Sequence, residues 1–226
     1  IMLSTGAAHP GLASAMWGFH APESEGRFDK KVLSPSPRGF PLQESEGRFD
    51  KRFNEAKEQF WDRLRSFAME NGGKYLWVTE RAASESEDHF LLKAFVVKLL
   101  AARKGIESAS PGEMRSRILT EYKDAISGEV YDVYDGGEGI AYEIETLYGE
   151  GPFPPKKLQR TAEKRPRVRV VLDPFCASLH LKEVMDLRRQ LTSEGKDVEF
   201  YAATAEGKGS LIEVTGLSKR INDYEG

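Results

Sequence analysis

The chain has a single cysteine, Cys176, so no intramolecular disulfide can form, and a reducing, cytoplasmic setting is expected. No histidine lies at an informative spacing from it, and the residue reads as a small buried side chain instead of a nucleophile. Histidine is equally scarce. His9, His20, His89 and His180 form no HxxxH pattern and join no CxxC pair, which argues against a zinc site. No apolar run reaches the ~18 residues that span a bilayer. The nearest, Phe90 to Ala102, is interrupted by Lys93 and Lys98, so no membrane partner is expected. The charge balance lacks a strong sign: a net −3 leaves any nucleic-acid contact to a local basic patch. No basic n-region or cleavage site follows Ile1, so no secretion signal is read, and a fragment of a longer protein fits as well.

What the chain does contain divides at about residue 51. Residues 1–51 carry Pro10, Pro22, Pro35, Pro37 and Pro41 with little periodicity, and an irregular N-terminal arm is expected there. The octapeptide Glu-Ser-Glu-Gly-Arg-Phe-Asp-Lys occurs at 23–30 and again at 44–51. Two copies are too few for a solenoid, and a local duplication is the simpler reading. Residues 52–226 read as one α/β domain. Phe53, Ala56, Phe60, Leu64, Phe67 and Ala68 space an amphipathic helix that should end at Asn71-Gly72-Gly73. Lys74 to Thr79 reads as a short strand. Ser84 and Glu87 form a capping box that opens a helix from Glu85 to about Lys104, apolar on most of its surface and therefore covered on more than one side. Strands are expected at 118–122, 129–134 and 140–146. A polar helix follows at 156–164, then a doubly covered strand at 168–172, a helix at 176–193, and strands at 198–202 and 211–214. Glu206-Gly207-Lys208-Gly209-Ser210 lacks phosphate-loop spacing and reads as a hairpin between the last two.

The residues that point to chemistry are acidic. Strand geometry puts Glu143 and Glu145 on one face and turns Ile144 into the core. A hairpin at Gly136-Gly137 would bring Asp132 beside Glu143. Carboxylates converging at a sheet end suit a hard divalent ion such as Mg²⁺ or Mn²⁺. Two solvated strand faces are the alternative.

The order helix, three strands, helix, strand, with Asp132 on the second strand and Glu143 on the third, resembles the PD-(D/E)XK nuclease superfamily, and its small archaeal-type domains in particular. The likeness covers roughly residues 85–214. It implies a restriction-endonuclease-like fold, a mixed central sheet flanked by helices, and metal-dependent phosphodiester hydrolysis, most naturally of DNA. Under the resemblance Asp132, Glu143 and the Ile144 carbonyl bind one or two Mg²⁺ or Mn²⁺ ions, with Glu87 as a further ligand from the first helix, although the capping box already explains Glu87. The position two residues after Glu143 is usually Lys in the family. Here it is Glu145, as in a minority of its restriction enzymes, and it would act as general base or ligand. Lys156 or Lys157 could supply the missing cation from the following helix.

Seven basic residues crowd into positions 156–169. Lys157, Arg160 and Lys164 share a helix face, and with Lys156 they could hold phosphates; a solvated helix face is the alternative. His89 follows Glu87 and Asp88 in the first helical turn and could approach the acidic strands. The resemblance also admits a homodimer and a motor or targeting domain elsewhere. A catalytically inactive nuclease-like module for DNA binding or assembly is the competing expectation.

Overall fold

The computed structural model describes residues 42–146, 155–164 and 167–216, with side chains from residue 51 onward. The arm up to residue 41, including the first octapeptide copy, lies outside these residues. By contacts the chain divides into Ile1–Gly47 and Arg48–Gly226, and the fold is that of the second unit. Its elements in order are α1 (Leu42–Val78), α2 (Glu87–Arg103), α3 (Pro111–Arg117), β1 (Ile118–Lys123), β2 (Val130–Asp135), β3 (Ile140–Glu145), α4 (Pro155–Lys164), β4 (Arg167–Leu172), α5 (Pro174–Leu179), α6 (Leu181–Ser193), β5 (Asp197–Thr204) and β6 (Ser210–Glu213). Among the described residues no helix is long and apolar enough to cross a membrane.

The six strands form one mixed sheet in sequence order. β1, β2 and β3 are an antiparallel meander, β3–β4 and β4–β5 pair parallel, and β6 returns antiparallel to β5. Parallel neighbours cannot be joined by a tight turn, and α4 and α6 supply the two crossovers. Each face of the sheet has its own apolar cluster. On one, α1 and α2 pack over Ile118, Val133, Ile140, Tyr142, Ile144 and Val171. On the other, Leu158 and Ala162 of α4 and Val184, Leu187 and Leu191 of α6 pack over Val168, Val170, Phe200 and Ala202. β4 is buried along almost its whole length, as its unbroken apolar run predicts. Helix α2 is buried from Leu91 to Val97 without a break, including Lys93, because it lies between α1 and the sheet.

Several boundaries differ from the sequence reading. α1 begins at Leu42, so the second octapeptide copy is helical in backbone instead of irregular. Asn71, Gly72 and Gly73 do break it, all three at positive φ, with Glu70 extended before them. Lys74–Val78 then resumes as helix, not strand: Tyr75 and Val78, three apart, both enter the core, and burial on a helical spacing overrides local β-propensity. The cap of α2 is Ser86, whose Oγ accepts from His89 N–H at 3.2 Å, instead of Ser84. The β2–β3 loop is four residues, 136–139, not a two-glycine turn. Buried Asp135 shapes it by accepting from the N–H groups of Gly137 at 3.0 Å and Glu138 at 3.2 Å. The helix expected at 176–193 is two, interrupted at His180. Pro174 and the Asp173 cap start the first of them at the sheet end. α3 was not anticipated, although Ser110-Pro111-Gly112-Glu113 is an N-terminal signature, with Ser110 Oγ accepting from Glu113 N–H.

The β5–β6 hairpin seats on α2 through Gly209, at φ +79, where an added Cβ would lie 2.5 Å from the Phe95 ring. Gly207, at φ +57 in the same hairpin, faces open space. Gly209→Ala is therefore expected to destabilise the fold by about 2–4 kcal/mol, and Gly207→Ala by only about 1 kcal/mol. Urea midpoints of the two variants test this, and equal losses would contradict the packing described.

Candidate active site

The N-terminus of α2, the ends of β2 and β3, and α4 enclose a cleft of about 340 Å³. Glu85, His89, Glu121, Asp132, Ile144, Glu145 and Lys157 are among the residues that line it. Asp132 and Glu143 come together because the β2–β3 register runs from Asp135 opposite Ile140 to Val133 opposite Tyr142, and the two acids follow where it ends. Asp132 Oδ2 accepts from the Ile144 N–H at 2.7 Å. The alternation is as expected: Ile144 is fully buried in the α1/α2 core, while Glu143 and Glu145 face the other way.

Across the cleft stands His89. Its Nδ1–H donates to Glu85, and its Nε2–H donates to the Ile144 carbonyl at 3.0 Å with Asp132 Oδ2 at 3.5 Å. The ring thus lies between a carboxylate behind it and two oxygens in front. Burial opposes its charge, but Asp132 and Glu85 outweigh burial and raise its pKa to about 9. The two facing carboxylates are driven apart. Asp132, opposed by desolvation, is held below the usual carboxylate range by His89, the Ile144 N–H and Lys157. Glu143 is pushed well above its ordinary value by burial and by the charge of Asp132. Such divergence of neighbouring acids is a mark of functional sites.

Lys157, in the first turn of α4, donates to Glu145 Oε1 at 2.6 Å. Its pKa is raised, desolvation being outweighed chiefly by Glu145. A cation therefore reaches the cleft from α4 beside Glu145. A second cation is fully buried: Lys93 Nζ lies 2.8 Å from Glu85 and 2.5 Å from Glu121. Glu121 holds φ +48 in the middle of β1, a conformation costing about 1–3 kcal/mol for a non-glycine residue, and such strain concentrates at functional sites.

Glu87 is not in the cleft. It ion-pairs with Arg65 of α1 at 3.2 Å, and Glu85, two residues earlier, is the acidic residue that α2 brings in. Lys156 and Arg160 are exposed on α4, and Lys164 pairs with Glu129. The sequence reading gives no site role to Glu85, Lys93 or Glu121. The i, i+4 spacing of His89 and Lys93 places both on one stripe of α2, and Glu85, four residues before His89 and just ahead of the helix, continues its line.

Among the described residues, no three His, Cys, Asp or Glu side chains close round a single point. The donors that do face one another are the His89 imidazole, the Asp132 carboxylate and the Ile144 main-chain oxygen, with Glu143 beside Asp132. An imidazole whose second nitrogen is held by a carboxylate is the usual form of a metal-ligating histidine. To act as a ligand His89 would first give up the Nε2 proton it donates to Ile144, after which these groups would offer one nitrogen and mixed oxygen donors.

Two outcomes follow for the metal-free chain. The His89 pKa lies above its unfolded value of 6.5, so protonation stabilises the fold fully below about pH 6.5, and this contribution, at most about 3 kcal/mol, is lost as pH rises through about 9. NMR titration of the His89 ring should give a midpoint near 9, and Asp132→Asn should move it back toward 6.5. Lys93→Met leaves the buried Glu85 carboxylate and the half-buried Glu121 without their cation and is expected to lower stability by about 3–5 kcal/mol by urea denaturation, whereas Lys182→Met, at an exposed pair, should leave the urea midpoint nearly unchanged.

No family model, curated protein or solved structure matches the chain, and the chemistry of the cleft is read from its own groups.

Proposed function

We propose that this protein is a metal-dependent nuclease of the PD-(D/E)XK type that hydrolyses phosphodiester bonds in DNA. The observation carrying the reading is the convergence of His89 Nε2, Asp132 Oδ2 and the Ile144 carbonyl at 3.0–3.5 Å, with Glu143 alongside and the Lys157–Glu145 pair at the cleft wall. The antiparallel meander, crossover helix and parallel fourth strand support a restriction-endonuclease-like arrangement. In this reading His89, Asp132, Glu143 and the Ile144 carbonyl hold a divalent cation. When bound, it supplies Lewis-acid polarisation of a phosphoryl oxygen and acidifies water.

The remaining work falls to the chain's own groups. Glu85 fixes the His89 ring through Nδ1, leaving Nε2 aimed into the cleft. Glu145 accepts the proton of the attacking water. Lys157 stays cationic beside it and offsets negative charge developing on the phosphorane oxygens. Lys156 and Arg160, exposed on the same helix, bind flanking phosphates. Because imidazole is among the ligands, Mn²⁺ is the better cofactor and Mg²⁺ the weaker one.

Cleavage of single-stranded, duplex and branched DNA with Mn²⁺ or Mg²⁺ tests the reading. Activity should require the metal, and Asp132→Asn, Glu143→Gln and His89→Ala should each lower it by at least about 100-fold with unchanged circular dichroism. Full activity in all three variants, or in EDTA, would overturn it. One observation favours a second reading, a nuclease-like module that binds DNA without cutting. In the metal-free site, protonated His89 already stands against Asp132, and burial and the charge of Asp132 push the Glu143 pKa well above its ordinary value. Salt-dependent DNA binding with no cleavage under any metal would select it.

A further inference from the structure

The sheet face that carries Asp132 is covered unevenly. The apolar cluster on that side draws its strand residues from β4 and β5, with α4 and α6 above them, and no residue of β1, β2 or β3 belongs to it. β3 is nonetheless buried along its length, so exposure on this face is confined to β1 and β2, where Val130, Asp132 and Tyr134 alternate with buried Tyr131, Val133 and Asp135. Val130 is 49% exposed. Beside Asp132, Tyr134 and Tyr122 of β1 stack with ring centroids 4.6 Å apart and planes 10° from parallel. Both rings are partly exposed, and neither belongs to either apolar cluster. A stacked aromatic pair outside both apolar clusters, with the buried Tyr131 ring 6.4 Å from Tyr134, is an unusual use of apolar surface in a chain this rich in charge.

Resting on the nuclease reading, we propose that the Tyr122–Tyr134 pair is a stacking platform for the bases of an unpaired DNA strand, and that single-stranded DNA is the substrate class of this site. Tyr134 is two residues from Asp132 along β2, a step of roughly 7 Å, the scale of one nucleotide. A strand whose phosphate enters the cleft can therefore lay a neighbouring base on the tyrosines. Charge is complementary along the same path: Lys123 is exposed at the end of β1, Lys157 stands at the cleft wall, and Lys156 and Arg160 are exposed on α4. Stacking needs unpaired bases, since a duplex keeps its π faces inside the helix, and it is tolerant of sequence.

The test uses the full chain in EDTA with fluorescein-labelled oligothymidylate and a duplex of equal length, read by anisotropy. The parent should prefer the single strand. Tyr122→Leu and Tyr134→Leu, which keep apolar bulk but remove the π face, should weaken single-strand binding by about 5- to 100-fold and leave duplex binding within about twofold. Tyr122→Phe and Tyr134→Phe should bind as the parent does. Equal binding of the leucine variants and parent, a parent preference for duplex, or loss of binding in the phenylalanine variants would overturn the proposal. Cleavage with Mn²⁺ is followed in parallel. Tyrosine-dependent binding without cleavage retires the nuclease reading alone, and cleavage with tyrosine-independent binding retires the platform alone.

Discussion

His89 ties three elements to one another because a protonated imidazole has two N–H groups pointing in opposite directions. One goes to Glu85, just before α2, and the other goes to the Ile144 carbonyl on β3, beside Asp132 of β2. The N-terminus of α2 is thereby fixed over the end of the β2–β3 pair. The cleft exists because that distance is held. Lys93, one turn further along α2, extends the same stripe to Glu121 of β1, so that a single helix face addresses all three strands of the meander. Around the cleft each cation lies against a carboxylate, His89 and Lys93 on the α2 side and Lys157 from α4, and this pairing offsets part of the cost of burying so many ionisable groups.

The two faces of the sheet divide the remaining labour. On the α2 face, apolar side chains from all parts of the chain make the core that gives the domain its stability. On the opposite face the apolar cluster stops at β4 and β5, and the strands bearing Asp132, Glu143 and Glu145 are left to polar and aromatic residues. The parallel β3–β4 pairing produces the asymmetry, since its crossover sends α4 over β4 and brings Lys157 back to Glu145.

Much of this was legible in the chain. Alternation along 140–145 correctly separates Ile144 from Glu143 and Glu145, the unbroken apolar run at 168–172 marks the buried strand, and Lys157 lies within reach of the acidic strands. These readings succeed because period-2 and period-3.6 patterns are local consequences of which face is buried. Lys74–Thr79 fails for the same reason in reverse: its β-formers are overruled by a helical pairing of Tyr75 and Val78 with a core that local sequence does not describe.

Local patterning in the sequence left out α3, the helix at Lys74–Val78 and the break at His180. By itself it placed most of the elements, faced each strand and listed the carboxylates available, because those properties depend on near neighbours. Only the tertiary structure decided which of them meet. Glu85 instead of Glu87 enters the cleft, His89 reaches β3 across fifty-five positions, and Lys93 is buried between two acids. Such contacts depend on the angle and depth at which α2 packs on the sheet. That geometry is set by the whole apolar interface, not by any segment that contributes to it.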